Sequence, residues 1–474
     1  MKPSIFNVQV PLPDRNEVFL MNTFTDAQLV VSNDVAALLD RLGSTSPATD
    51  RGLNDEEIEL TAELAEHGFI VENREGEREA LNAYFGRFRE DTSELRVTVL
   101  TTLQCNFACD YCFQGDHGDY NKFAAKMSLP TAATVARWIE DRLDETGAKG
   151  FVLTFFGGEP LLNLPVMYEL AERAWEASQA RGVELRISII TNGLLLTPEV
   201  VDRLLPFGLK GVKITLDGDR ETHNRMRPLR GGQGTFDRIV ENVRRVADKV
   251  AISIGGNFDA SSVDSYPALL DFLLEQDFAD KLAKVAFKPI IREQTAKPAK
   301  GIIPLTVVST DAKPLGGTCM TSAGAGSSIC DTCNFVDEKL SFLREETSKR
   351  GFKTIDGVHM GPCEIHKRHA HTIGPDGALY ACPGFTGEKK LSIGHIEGRQ
   401  ESWQVSAEQK FEKLAAWKEC GDCAYIPVCA GGCSVASQTE LGDMNTPSCH
   451  KSSFDSALIS LARKAVSSSL EMVQ

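Results

Sequence analysis

From residue 95 to residue 292 the chain alternates short β-branched apolar runs with longer segments of helical period, and this alternation limits what it can fold into. "LRVTVL", "FVLTFF", "LRISII", "GVKITL", "VAISI" and "KVAFKPII" have the length and composition of strands. Between them lie "TAATVARWIEDRLDE", "PVMYELAERAWEASQA", "PEVVDRLL", "TFDRIVENVRRVADKV" and "SYPALLDFLLEQ", whose apolar residues recur at helical spacing. Six β/α units in a row predict an α/β fold with a parallel sheet, curved into a partial (β/α)6 barrel of TIM type. Its functional loops are expected at the C-terminal ends of the strands.

A chain of 474 residues outgrows a single core, so further units are expected on either side of residues 93–292. Residues 1–92 hold no cysteine; "EVFLMNTFTDAQLVVS" reads as a hairpin, and "NDVAALLDRLG" and "NDEEIELTAELAEHG" as short capped helices, a winged-helix-like pattern. Residues 293–362 are rich in Pro, Gly, Ser and Thr, weak in periodicity, and read as a linker or insertion that carries Cys319, Cys330 and Cys333. Residues 363–474 hold seven cysteines and close on the helical segment "FDSALISLARKAVSSSLEMV".

With 66 acidic against 51 basic side chains and no long Lys/Arg run, the chain is poorly suited to binding nucleic acid. It has no stretch of about 18 apolar residues and no charged-then-apolar start, so a cytoplasmic protein without a membrane partner is expected. In such a chain thirteen cysteines point to metal or redox chemistry, and an odd number cannot all pair as disulfides.

The first strand candidate leads into "TTLQCNFACDYCF", which places Cys105, Cys109 and Cys112 in a CxxxCxxC spacing. A four-iron cubane is normally held by four thiolates. Three leave one iron open to a small molecule, as a catalytic zinc keeps an open position. A structural zinc knuckle with a distant fourth ligand is the plain alternative. Placement at the C-terminal mouth of the barrel favours the cluster.

In that position the motif resembles the radical S-adenosylmethionine (SAM) superfamily. The resemblance implies that Cys105, Cys109 and Cys112 hold a catalytic 4Fe-4S cluster whose open iron is chelated by S-adenosylmethionine. Reductive cleavage of that cofactor then gives a 5'-deoxyadenosyl radical that abstracts hydrogen from substrate. "FFGGEPLL" is similar to the family loop that receives the cofactor's amino group, which assigns Gly157, Gly158, Glu159 and Pro160, the glycines admitting backbone close to the ligand. "IITNG" implies cofactor contacts from Thr191 and Asn192, and "TLDGDRETHNRMR" resembles the LDG…H…R signature of peptide-modifying members, with Thr215 and Asp217 toward the ribose. "GGN" brings Asn257 to the adenine, and Tyr111 resembles the aromatic that packs beside it. His223 is read as a structural hydrogen-bonder.

Beyond residue 362, Cys363, Gly377 and Cys382, then Cys420, Cys423, Cys429 and Cys433 in CxxCxxxxxCxxxC spacing, then Cys449, reproduce the pattern of the SPASM extension. Two zinc sites are the alternative. The resemblance implies two auxiliary 4Fe-4S clusters, three in all. Cys420, Cys423, Cys429 and Cys449 would close one; Cys363, Cys382 and Cys433 would hold the other, one ligand short. Cys319, Cys330, Cys333 or a substrate thiolate is left to fill that position. "HKRHAH" between the cluster cysteines is read as a polar strand approach.

These features together resemble maturases of ribosomally made peptides (RiPPs), in which a winged-helix element holds the leader of the precursor peptide by strand addition. They imply an oxidoreductase forming a Cys-to-carbon thioether, with an electron donor such as flavodoxin or ferredoxin. Carbon-carbon crosslinking is the alternative outcome. An anaerobic sulfatase maturase would carry Asp where this chain has Pro383. A non-enzymatic iron-sulfur carrier or scaffold would not need the "FFGGEPLL" loop.

Overall fold

The computed structural model describes residues 1–44, 52–112, 124–291, 331–355, 357–358, 361–398 and 401–471. Cys319 and Cys330 lie outside the described residues, and of Cys333 only the helical backbone is described.

The N-terminal unit begins with β1 (Lys2–Pro3), β2 (Asn7–Leu12), β3 (Glu17–Asn22) and β4 (Gln28–Ser32). It continues through α1 (Asn33–Gly43), α2 (Asp55–Glu66), β5 (Ile70–Val71) and α3 (Arg74–Glu90). β2, β3 and β4 form an antiparallel sheet in that order, and β1 pairs with β5. Asn54 and Glu57 close a capping box at the start of α2. β3 is apolar on both faces because both are covered. Leu20 meets Leu38, Leu39 and Leu42 of α1, while Phe19 and Met21 meet Val10 and Ala457, Leu458 and Ala462 near the C-terminus.

The expected partial (β/α)6 barrel follows. β6 (Glu94–Thr102), β7 (Gly150–Gly157), β8 (Glu184–Thr191), β9 (Leu209–Thr215), β10 (Ala251–Phe258) and β11 (Leu282–Pro289) run parallel, each beside its sequence neighbour. The intervening helices are α4 (Leu129–Thr146), α5 (Leu164–Arg181), α6 (Pro198–Leu204), α7 (Arg220–Met226), α8 (Phe236–Val246) and α9 (Tyr266–Leu274). Period-2 alternation gives each strand two faces. Phe151, Leu153 and Phe155 of β7 are buried in the helix-facing core, whereas Thr154 on the other face hydrogen-bonds Ser188 of β8 at 2.9 Å.

Two features depart from the sequence reading. Weak periodicity predicts a linker over 293–362, yet α10 (Asp331–Lys349) packs on β11 and α9 as the helix of the sixth unit, burying Val336 and Leu343. Arg350 clamps it to Asp271 of α9 at 2.6 Å. The cysteine-rich segment, moreover, joins the barrel sheet: β12 (Ala370–Ile373) lies parallel to β6, with Ala370 opposite Arg96 and Ile373 opposite Val99. β13 (Ala378–Tyr380) and β14 (Gly394–His395) extend the sheet to nine strands, ahead of α11 (Ser402–Glu412) and α12 (Lys451–Glu471). None of the helices among the described residues is long and apolar enough to cross a membrane.

α3, which no sequence pattern singled out, ties the N-terminal unit to this segment. Phe85 stacks on Trp417 with centroids 4.6 Å apart, and Arg89 donates to the carbonyls of Phe411, Glu412 and Leu414.

His366 and His371 do not converge on a metal. His371 stands edge-on to Trp138 at 5.0 Å, and His366 Nε2 and His371 Nδ1 are buried without hydrogen-bond partners. Burial, with Arg89 beside His366 and with His369 and Arg142 beside His371, pushes both imidazoles down to about 4. Unfolded imidazoles titrate near 6.5, so between the two values the unfolded chain binds more protons and acid destabilises the fold. The unfolding midpoint should fall between pH 7 and pH 5, and a His366→Gln/His371→Gln double variant should fall less steeply in anaerobic thermal unfolding. Equal slopes would remove these histidines as the cause.

Candidate active site

The strand ends build the site from backbone outward. β6 runs into the cysteine loop, where Leu103 N donates to Ala125 O at 2.8 Å and Ala108 N to Pro228 O at 2.9 Å. β7 ends at Gly157, whose φ of 138° suits glycine alone. A Cβ there would lie 2.2 Å from Thr102 O, and one on Gly158 would lie 2.3 Å from Gln104 O. Gly158 N and Glu159 N instead donate to those two carbonyls at 2.9 and 2.8 Å. The close approach that the glycines permit is thus onto the cysteine loop itself.

Glu159 is fully buried, and burial raises the pKa of its carboxyl. Three donors hold it: Leu161 N at 3.0 Å, Thr191 Oγ1 at 2.8 Å and Asn192 N at 2.8 Å. Asn192 Nδ2 in turn donates to Asn106 Oδ1 at 2.8 Å, beside Cys105. The resemblance places Glu159 in the loop that receives the cofactor's amino group and makes Thr191 and Asn192 polar contacts to it. In the fold Glu159 and Thr191 bond each other through their side chains, whereas Asn192 reaches Glu159 only through its backbone N and turns its side chain to Asn106 in the cysteine loop, because a buried carboxylate requires nearby donors. Pro160 starts the 3-10 turn Pro160–Asn163 that follows.

Tyr111, Asp217 and Asn257 meet as one group. Tyr111 OH donates to Asp217, and Asn257 N donates to the same carboxylate at 2.6 Å. Arg227 completes it, donating to Tyr111 OH and facing Asp217 at 3.5 Å. Sequence reasoning quoted the signature containing Arg227 without assigning that residue a role; its position ten residues after Asp217 was the available signal. His223 is neutral through burial, accepts from Asp217 N at 3.1 Å and bonds Thr235 at 3.1 Å, as a structural hydrogen-bonder does. Thr215 is half-buried at the end of β9 beside this group, with no hydroxyl partner among the described residues.

The ten described cysteines carry no disulfide and fall into three neighbourhoods. Cys105 lies in electrostatic reach of Cys109 and Cys112. Cys382 is in reach of Cys363 and Cys433, and Cys429 of Cys420, Cys423 and Cys449. Burial, reinforced by these neighbours, pushes the thiols of Cys105, Cys382 and Cys429 up to about 12. Thiols held in this way would lose their protons only to a metal cation bound among them. No three His, Cys, Asp or Glu side chains among the described residues close around a single ion.

Residues 99–256 match the family model described as the Radical SAM superfamily. This stretch is a radical SAM superfamily domain. The chain is 22% identical over 398 residues to Fe-coproporphyrin III synthase of Methanosarcina barkeri, spanning 78% of this chain and 91% of that protein. It is 24% identical over 363 residues to mycofactocin maturase MftC of Mycobacterium tuberculosis, spanning 72% and 78%. The solved structure of native anSMEcpe with bound AdoMet and Kp18Cys peptide superposes with a TM-score of 0.58 at 17% identity, covering 80% of this chain and 99% of that one. That likeness establishes the fold.

Gly158→Ala should force the two loops apart, at a cost of about 3 kcal/mol, and reduce iron retention in anaerobic denaturant titration with iron analysis. Gly86→Ala, on exposed α3 with nothing within 4 Å of the added carbon, is the control. Wild-type stability in the Gly158 variant would refute the packing argument.

Proposed function

We propose that the chain is a radical SAM peptide maturase with one catalytic and two auxiliary 4Fe-4S clusters, forming a thioether from a Cys to a carbon of a ribosomally made peptide. The observation that carries this reading is the grouping of ten cysteines into neighbourhoods of three, three and four, with the first against the glycine loop. Cys105, Cys109 and Cys112 would hold the catalytic cluster. Cys363, Cys382 and Cys433 would hold one auxiliary cluster, and Cys420, Cys423, Cys429 and Cys449 the other. S-adenosylmethionine and the reduced cluster together supply a 5'-deoxyadenosyl radical. The chain's own part is to seat the cofactor beside Thr215 and the Tyr111–Asp217–Asn257 group, with Glu159 holding the surrounding turns. A reducing cytoplasm and a donor such as flavodoxin or ferredoxin suit the free thiols.

The peptide half of the reading rests on an open strand. Among the described residues no strand pairs with the outer edge of β4, where Val30 is 40% exposed, whereas the other edge strand, β2, is blunted by Pro11. A leader adding a strand to β4 would be tethered while its core segment reaches the barrel. The peptide named in the anSMEcpe structure and the maturase name of MftC agree with this. A second reading, action on a tetrapyrrole, is favoured by the near full-length match to Fe-coproporphyrin III synthase.

Anaerobic reconstitution should give about 12 iron atoms per chain, four for each cubane. The triple change of Cys105, Cys109 and Cys112 to Ala should remove about four of these and all 5'-deoxyadenosine formation. Undiminished cofactor cleavage in that variant would sink the proposal. Co-expression with a Cys-containing peptide encoded nearby, then tandem mass spectrometry, should show loss of two hydrogens with blocked thiols; free thiols would indicate a carbon-carbon link. Val30→Pro should weaken leader binding about tenfold in fluorescence anisotropy. A truncation is unsuitable, because α3 supports the cysteine-rich segment.

A further inference from the structure

Three strands on one side of the barrel carry lysines on the face turned away from the helices. Val212 and Ile214 of β9, Ile252 and Ile254 of β10, and Val285 of β11 are buried in the helix-facing core. The residues between them therefore point into the concave side. In register, Lys213 lies opposite Ser253, Ser253 opposite Lys284, and Asn257 opposite Lys288. A Cβ on Gly255 would lie 2.8 Å from Lys213 Cε, so the glycine leaves the lane in which that side chain lies.

None of the three ammonium groups has a hydrogen-bond or ion-pair partner among the described residues. This is unusual in a chain with 66 acidic against 51 basic side chains. On its convex surface Lys249, Lys281 and Lys339 each meet an aspartate at 2.9, 2.6 and 2.9 Å. Lys213 is exposed to water, yet desolvation by the barrel wall and then the charges of Lys288 and Lys284 lower its pKa. Lys288 also lies in electrostatic reach of Cys382. The charges of Lys288 and Lys284 acting on Lys213 leave repulsion that a bound anion would relieve.

We propose that Lys213, Lys284 and Lys288 form a carboxylate-binding subsite for the substrate, between the strand-end loops and the Cys363, Cys382 and Cys433 group. Resting on the peptide-maturase reading, it assigns an acidic core segment to the substrate, with an Asp or Glu side chain received by the lysine row. The same carboxylate chemistry is offered by the propionates of a tetrapyrrole, and the experiment separates the two sources.

The test is anaerobic titration calorimetry of the reconstituted full chain with S-adenosylmethionine. Its probes are the capped hexapeptide Gly-Glu-Gly-Gly-Glu-Gly, its Gln counterpart, and coproporphyrin III. The Glu peptide should bind about tenfold tighter than the Gln peptide. Lys213→Met and Lys284→Met should each erase most of that preference, and Lys213→Arg should keep it. Iron content and circular dichroism report whether each variant is folded. Lysine-dependent binding of coproporphyrin III alone would uphold the subsite and overturn the peptide reading. Equal affinity for the Glu and Gln peptides, without lysine-dependent coproporphyrin binding, would overturn the subsite and leave the peptide reading standing.

Discussion

One buried carboxylate holds the candidate site together. Glu159 lies at the end of β7 with no exposure to water, and a charge in that position is costly unless its oxygens are filled. They are filled by donors from two elements: Leu161 N just beyond the glycine loop, and Thr191 Oγ1 and Asn192 N at the end of β8. Asn192 passes the constraint on to Asn106 in the cysteine loop. Three loops on three adjacent strands are thereby locked in one arrangement. Each loop alone lacks regular secondary structure to fix its shape, so the shared carboxylate does what a helix or ladder does elsewhere.

This dependence explains which parts of the molecule were legible in the sequence. All six barrel strands and five intervening helices were readable, because each buries an apolar face whose period is local. α10 was not, since its first turns follow a stretch rich in Pro, Gly, Ser and Thr, and its buried Val336 and Leu343 are separated by two helical turns. The pairing of β12 onto β6 was hidden for a different reason: a four-residue strand carries too little pattern to name its partner some 270 residues earlier. The cysteine spacings stand in the sequence itself, but their division into three groups came from a family resemblance rather than from any local pattern. The burial of Glu159 and its bond to Thr191 could not be read from the sequence, because they depend on how deeply the strand ends are buried.

Attachment of β12 to β6 also gives the two halves of the chemistry a common frame. The same strand leads into Cys105 at its end and carries, along its edge, the segment bearing Cys363 and Cys382. Arg96 of β6 bonds Glu364 at 2.5 Å, and Lys367 bonds Asp91 at 2.8 Å, holding Asp91 well below the usual carboxylate range. Such pairs add little stability where exposed, but they fix register at the point where the two segments meet. The two cysteine groups are thus held on a sheet whose strands cannot slide without breaking that register.

The N-terminal unit is joined to the rest by packing of a different kind. Phe6, Leu81 and Phe85 share a cluster with Ile426 and Ala430, while Trp417, Cys420 and Cys423 pack against it. β3 lies between its own helix α1 and the C-terminal helix α12. Removing a side chain of Phe85's size from such a cluster costs about 3 to 5 kcal/mol, a large fraction of a domain's stability. An element buried to this extent does not sway as a tethered module. Anything that binds its open β4 edge therefore meets a surface already held in fixed relation to the cysteine-rich segment, and the distance from that edge to the barrel becomes a property of the fold. A bound peptide would then be measured by the chain, and the residue that reaches the lysine row would be set by its spacing from the leader.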